Sequence, residues 1–256
     1  MNEVLRSAMT ARGLTVESLA QQTGVDRKTV GRWLSPGRVP HARTRSRAAA
    51  VLGLEVGELW PNTGRRRDPL WFVPWAQAER EATSLRWFEA LVVPGLLQTE
   101  AYARAVLTDA GLMSRDAVEQ RVRTRMDRRA ILAGNKPPQF TAVLDEGVLR
   151  RPVGSSRVMR DQVQAIITAC EEPHVRVHVV PSTAGAYAGL NGPFVLAAGP
   201  GGRLTGYLDT QLDGQVVDSA DKMEALQAAW ESVRGEALPH RQSIDLMTEV
   251  AETWTT

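Results

Sequence analysis

The sequence predicts two domains of different class: a mainly α, five-helix domain over residues 1–61 and a larger α+β domain over residues 71–256, with a basic linker at 62–70. Three observations carry this. Residues 1–61 show apolar side chains at helical spacing only, in short runs separated by Gly and Pro. From Gln139 on, segments that alternate apolar and polar residues enter between the helical ones. The charge is divided as well. Residues 1–67 carry 12 Lys and Arg against 5 Asp and Glu, a net of +7, while the remainder carries 19 against 24, a net of −5. A basic first quarter on an acidic remainder assigns contact with a polyanion to the first quarter. A chain of 256 residues, 43% hydrophobic, has room for both domains.

The first helix runs from Asn2 to Arg12, with Val4, Leu5, Ala8 and Met9 at helical spacing, and Gly13 ends it. Thr15 caps a second helix that passes through Leu19 and Ala20 to Thr23, and Gly24 supplies the tight turn after it. Asp26 caps the third helix, to Leu34, because its carboxylate accepts from the first free backbone N–H groups. On this helix Arg27, Lys28, Gly31 and Arg32 fall within an arc of about 140°, opposite Val30, Trp33 and Leu34. Gly31 removes bulk from the middle of the charged face, where another surface can approach. Residues 35–40 form a loop by their two prolines and glycine. Ala42 to Leu52 is a fourth helix, with Ala48, Val51 and Leu52 inward and Arg43, Arg45 and Arg47 available to solvent or phosphate. Val56 to Trp60 is a fifth, stopped by Pro61. Helix, glycine turn, cationic helix is the helix-turn-helix layout, whose second helix enters the DNA major groove.

The order Leu14-Thr15, Leu19-Ala20, Gly24-Val25, Thr29-Val30, Trp33, Gly37, Pro40, Ala50 to Leu54 and Glu58-Leu59-Trp60 resembles the phage-repressor-like helix-turn-helix family (Cro-type, or xenobiotic-response-element, XRE) over residues 1–61. The resemblance implies that Arg27, Lys28, Thr29 and Arg32 read base edges or adjacent phosphates. It also implies that Thr15, Arg38 and Arg43 touch the DNA backbone near helix ends.

In the linker, Arg65-Arg66-Arg67 reads either as a solvated run or as an arm that follows the phosphate backbone or a minor groove. Beyond it, Trp71, Phe72, Trp75, Trp87 and Phe88 crowd together, and a helix is expected from Pro74 to Phe88. The cluster has three readings: core packing, a partner surface, or an aromatic-lined ligand pocket. Thr99 caps a helix through Leu107, and Ser114 caps another to Leu132, with Val118, Val122 and Met126 on one side. The latter carries a basic stripe, Arg121, Arg125, Arg128 and Arg129, either solvated and salt-bridged or a second contact with DNA or an acidic partner. Strands are expected at Phe140–Leu144, Val175–Val179, Gly192–Ala198 and Leu204–Thr210, the last two as a hairpin over Gly199 to Gly202. Three helix faces follow from periodicity: Met159, Val163, Ile166, Ile167 and Cys170; Met223, Leu226, Trp230 and Val233 after a Ser219 cap; and Ile244, Met247, Val250 and Trp254.

Over about residues 71–254 a second resemblance stands out. Val93-Pro94-Gly95-Leu96-Leu97-Gln98-Thr99 with Tyr102-Ala103, Asp145-Glu146 with Leu149-Arg150-Arg151, Arg160-Asp161-Gln162, and Val175 to Gly185 look like the C-terminal domain of actinobacterial WhiJ-type regulators. The resemblance implies an antitoxin-like arrangement with a small protein encoded nearby.

Chemistry of other kinds finds little footing. Four histidines (His41, His174, His178, His240) and Cys170 show no metal-ligand spacing, so no metal and no cofactor are expected. Asp145-Glu146 are adjacent carboxylates that diverge in direction, and Asp145 is the better reading as a helix N-cap than as a base for water. His178 faces away from the alternating valines as a surface or pocket-wall histidine, and Cys170 is a small core residue. One cysteine excludes an internal disulfide, and no apolar run or leader-like start is present, so the expectation is a cytoplasmic protein without a membrane contact. The function expected is that of a homodimeric, sequence-specific transcriptional regulator on a double-stranded DNA operator, not an enzyme. Its C-terminal domain would bind a small protein partner or a small-molecule effector. The alternatives are a small-molecule-sensing repressor with an aromatic-lined pocket and a DNA-tethered enzyme.

Overall fold

The computed structural model describes residues 2–35, 38, 40–60, 72–210 and 214–255. The chain divides into two compact units, residues 1–69 and 70–256. The linker expected at 62–70, with Arg65, Arg66 and Arg67, lies outside the described residues, as does Trp71.

The first unit is helical: α1 (Glu3–Ala11), α2 (Val16–Thr23), α3 (Arg27–Trp33), α4 (Ala42–Leu52) and α5 (Val56–Leu59). Its core is Leu5, Leu19, Val30, Trp33, Ala48, Leu52, Leu59 and Trp60. Trp33 and Trp60 meet edge to face, ring centroids 6.3 Å apart. Because a domain this small buries little surface, its caps matter. Asn2 accepts from the Leu5 N–H at 3.0 Å, and its amide donates to the Leu59 carbonyl at 2.9 Å, which ties the start of α1 to the end of α5. Thr15 and Ser18 exchange side-chain and backbone bonds across the first turn of α2. Gly24 ends α2 at φ +70°, a left-handed conformation that only glycine adopts without strain. Of the arginines assigned outward on α4, Arg43 and Arg47 are exposed. Arg45 is half-buried, and its Nε is enclosed without a hydrogen-bond partner among the described residues.

The second unit holds α6 (Val73–Glu81), β1 (Ser84–Glu89), α7 (Glu100–Asp109), α8 (Arg115–Arg129), β2 (Gln139–Asp145), α9 (Glu146–Arg150), α10 (Ser156–Ala169), β3 (Val175–Val180), β4 (Phe194–Ala198), β5 (Leu204–Asp209), β6 (Gly214–Val217), α11 (Ala220–Glu236) and α12 (His240–Thr253). The strands form one mixed sheet in the order β3-β2-β1-β4-β5-β6. β1, β2 and β3 run parallel, while β4, β5 and β6 are antiparallel to their neighbours. Both faces are covered. Trp75, Tyr102, Met159, Val163, Ile166, Met247 and Val250 pack on the face that carries Leu85, Trp87, Phe140 and Val177. Met223, Trp230 and Val233 of α11 pack on the face that carries Phe88, Val143 and Leu196.

Two elements depart from expectation. The helix expected from Pro74 to Phe88 stops at Glu81, and Ser84–Glu89 is instead the strand β1 between β2 and β4. The aromatic spacing misled because a strand covered on both faces buries successive residues, Trp87 one way and Phe88 the other, and loses the polar alternation of a half-exposed strand. The four-residue edge strand β6 was not foreseen, being too short to carry a pattern. The four expected strands, the β4–β5 hairpin and the five expected helices after residue 98 form as read, although Ser219 makes no side-chain cap bond to α11.

The outer edge of β3 is sealed by the α11–α12 junction. Leu238 N–H donates to the Val179 carbonyl at 2.8 Å, and Val179 N–H donates to Ser243 Oγ at 3.0 Å. His240 Nδ1 lies 2.9 Å from the Val177 carbonyl oxygen. A covered edge cannot recruit a foreign strand.

Candidate functional site

The third helix separates its faces as the residues dictate. Val30 and Trp33 are buried, while Arg27, Lys28, Gly31 and Arg32 are exposed. A Cβ on Gly31 would meet nothing within 4 Å, so no internal packing requires glycine there. Asp26 caps the helix, accepting from the Thr29 N–H at 2.8 Å and from the Thr29 hydroxyl at 2.6 Å. Those two Thr29 donors hold the Asp26 carboxyl below the usual carboxylate range. Arg27 is not free: its Nε pairs with Glu17 of α2 at 2.7 Å in an exposed ion pair.

Thr29 and Arg32 share a shallow groove of about 280 Å³ with Arg38, His41 and Thr44. Three of the expected contact residues, Thr29, Arg32 and Arg38, thus come together. Lys28 projects from the same exposed helix face. Thr15 stands apart at the start of α2, its hydroxyl already accepting from the Ser18 N–H at 3.1 Å. Arg43 is exposed on the first turn of α4. The arrangement offers a polyanion four cations, Lys28, Arg32, Arg38 and Arg43, with a fifth shared with Glu17.

In the second unit two of the four arginines of the basic stripe, Arg125 and Arg128, are spent on the protein itself. Arg128 forms a bidentate pair with Glu79, Nε–Oε1 2.9 Å and Nη2–Oε2 2.6 Å, and lies 4.7 Å over the Phe72 ring. Arg125 donates to Gln98 Oε1 at 2.7 Å, and Gln98 in turn donates to the Val93 carbonyl at 2.6 Å. Only Arg121 is exposed. Around Arg125 a cluster that sequence reasoning missed gathers at the carboxyl ends of β1 and β5. Glu89 accepts from the Trp87 indole at 3.1 Å, and Asp209 lies 3.5 Å from the Tyr207 hydroxyl. Burial pushes the Glu89 carboxyl up to about 8, with Asp209 adding to the rise. Burial likewise draws the Arg125 guanidinium down to about 10, helped by Arg128 and Arg121. No local signal joins Glu89, Arg125 and Asp209; the sheet order and α8 bring them together.

The remaining sequence candidates are structural. Asp145 accepts from the Gly147 N–H at 2.7 Å and from the Tyr187 hydroxyl at 2.7 Å. Glu146 accepts from the Ser182 N–H at 2.7 Å and from Arg150 at 2.6 Å. The adjacent carboxylates therefore cap and pin. Gln162 is fully buried, accepting from the Thr99 N–H at 2.7 Å and donating to the Leu97 carbonyl at 2.9 Å, which fastens the Pro94–Thr99 bend to α10. His178 is half-buried with Nδ1 3.0 Å from the Leu238 carbonyl oxygen, and burial lowers its pKa. Cys170 is buried and its thiol is pushed up to about 11 by burial. Phe72, Trp75, Trp87 and Phe88 are core residues, Trp75 stacking on Tyr207 at 4.9 Å. Among the described residues no group of three or more His, Cys, Asp or Glu is placed to hold a metal ion, and no helix is long and apolar enough to cross a membrane.

No curated protein and no solved structure matches the chain. A family model does, over residues 73–249, which span nearly the whole second unit from the start of α6 into α12. The chain belongs to the DUF5753 family, described as a domain of unknown function.

Proposed function

We propose that the protein is a sequence-specific DNA-binding transcriptional regulator of the phage-repressor-like (XRE) helix-turn-helix class, joined to a WhiJ-type, antitoxin-like C-terminal domain that receives a signal. The single observation that carries this reading is the third helix. Its inner face is fastened into the core by Val30 and Trp33, and its outer face presents Lys28, Gly31 and Arg32, exposed among the described residues. In this reading α3 enters the major groove. Arg32 and Lys28 supply donors to base edges or phosphates, and Arg38, Arg43 and the first turn of α2 follow the backbone. The protein acts as a homodimer on two half-sites about 34 Å apart. Its second unit binds either a small protein partner or a small-molecule effector and serves no catalytic role.

The test is binding of the purified chain to its own upstream DNA against scrambled DNA at two salt concentrations, read by gel shift. A preference of about a thousandfold that survives the higher salt is the expected result. Equal affinity for both DNAs, collapsing as salt rises, would reduce the first unit to a generic polyanion tether. Arg32→Ala should weaken binding by about 1–3 kcal/mol and relax preference at one base pair. Uniform weakening across all sequences would make Arg32 a phosphate contact instead.

A further inference from the structure

The second unit contains an open cleft of about 670 Å³ beside the C-terminal end of α8. Small-molecule sites run to roughly 300–1,000 Å³, so the size suits one organic molecule. The cleft exists because its walls are small residues. Ala130, Ala133 and Gly134 line it from the turn that extends α8, and Ala165 and Ala169 line it from α10. Beneath them Leu97 and Val175, both buried, supply an apolar floor.

Three charged or titratable groups reach the cleft: Arg129, Glu172 and His174. His174 is committed, with Nε2 2.9 Å from the Leu132 carbonyl oxygen. Arg129 is not. Its neighbours on α8 find oxygen acceptors, Arg128 on Glu79 and Arg125 on Gln98, whereas among the described residues Arg129 reaches only the Met126 sulfur at 3.9 Å. A half-buried guanidinium beside an apolar floor, given only a thioether, is matched by an incoming anion. The exposed Glu172 carboxylate on the same rim disfavours a second negative charge.

We propose that this cleft binds a small amphiphilic monocarboxylate, its apolar body against Leu97 and Val175 and its carboxylate on Arg129. The site would be where the second unit senses an effector, which rests on the regulator reading for its meaning but not for its test.

The probe is dansyl-undecanoate, followed by fluorescence on the full chain without DNA and displaced by decanoate or by the uncharged decanol. One saturable site per chain is expected, with decanoate displacing the probe at a tenfold or more lower concentration than decanol. Arg129→Gln should erase that difference and weaken the probe itself, whose carboxylate loses the same partner, while direct decanol affinity stays the same. Ala169→Phe should abolish probe binding by filling the cleft. Ala133→Phe, placed on the other element, does the same if the first variant misfolds by circular dichroism. Absence of saturable binding, equal potency of acid and alcohol, or binding that persists in both filled variants would overturn the assignment. So would a wild-type chain that ignores the probe yet elutes as a dimer whose Ala169→Phe form is monomeric, because a second copy would then own the cleft. A chain that binds the probe but no operator would sink the regulator reading alone; one that binds an operator but no probe would sink the cleft alone.

Discussion

Thr29 gives its hydroxyl proton to Asp26 at 2.6 Å, so the side chain at the tip of the exposed helix is also part of that helix's cap. What Thr29 has left for DNA is its methyl group and an oxygen lone pair, which suit a thymine methyl or a base amine. Thr29→Ser keeps the Asp26 bond and removes only the methyl. Unfolding should be unchanged, and preference at one base pair should fall by about 1 kcal/mol. Competition by single-base operator variants, read by fluorescence anisotropy, checks this. A serine variant that keeps full preference would leave Thr29 a cap residue only.

Gly31 sits in a helix interior with open space at its Cβ position and without a positive φ. An interior glycine costs roughly 0.5–1 kcal/mol relative to alanine. Gly31→Ala should therefore raise the stability of the first unit by about that amount. It should lower DNA affinity, because the added methyl stands where the duplex backbone or a base edge approaches. Thermal unfolding and DNA titration on one preparation read both effects, and their opposite signs are the signature. Tighter DNA binding by the alanine variant would remove the close-approach argument.

The pair between Glu79 and Arg128 is the most enclosed ion pair among the described residues, with the two side chains 2% and 21% exposed. Breaking a buried pair by removing one partner strands the other charge and costs about 3–5 kcal/mol. Glu79→Ala should lower the urea midpoint of the second unit accordingly. The double replacement Glu79→Leu with Arg128→Met should recover much of the loss, since neither charge then remains. Equal losses in single and double variants would place the stabilisation in packing of the Arg128 stem over Phe72.

Glu89 sets a pH dependence of opposite sign to that of a salt-bridged carboxylate. Its folded-state pKa is raised from 4.5 to about 8, so between these values the folded chain holds a proton that the unfolded chain has released. The associated stability is fully present below pH 4.5 and is lost as pH climbs toward 8, at about 1.4 kcal/mol per pH unit. Asp209 shifts in the same direction. Glu89→Gln should flatten the fall, which denaturation between pH 5 and 9 would read. An unchanged slope in the variant would move its origin to another group.

The parts of this protein decided by neighbours in sequence were legible from the sequence. Asp26, Gly24 and the Val30/Trp33 spacing are local instructions, since a cap and a helical period act within one or two turns, and the exposed face of α3 follows from them. The same holds for the Asp145 cap and for strands such as Val175–Val180, where alternation survives. Tertiary structure decided what depends on partners far along the chain. Ser84–Glu89 is a strand because β2 and β4 flank it and helices cover both faces, conditions that its own residues do not encode. Arg125 and Arg128 point inward because Gln98 and Glu79 wait for them 27 and 49 residues away. The convergence of Glu89, Arg125 and Asp209 and the alanine-walled cleft beside α8 exist only once the sheet order and the helix layers are set, because each gathers side chains from separate elements. Local periodicity can place a residue on a face, but packing alone determines what that face meets.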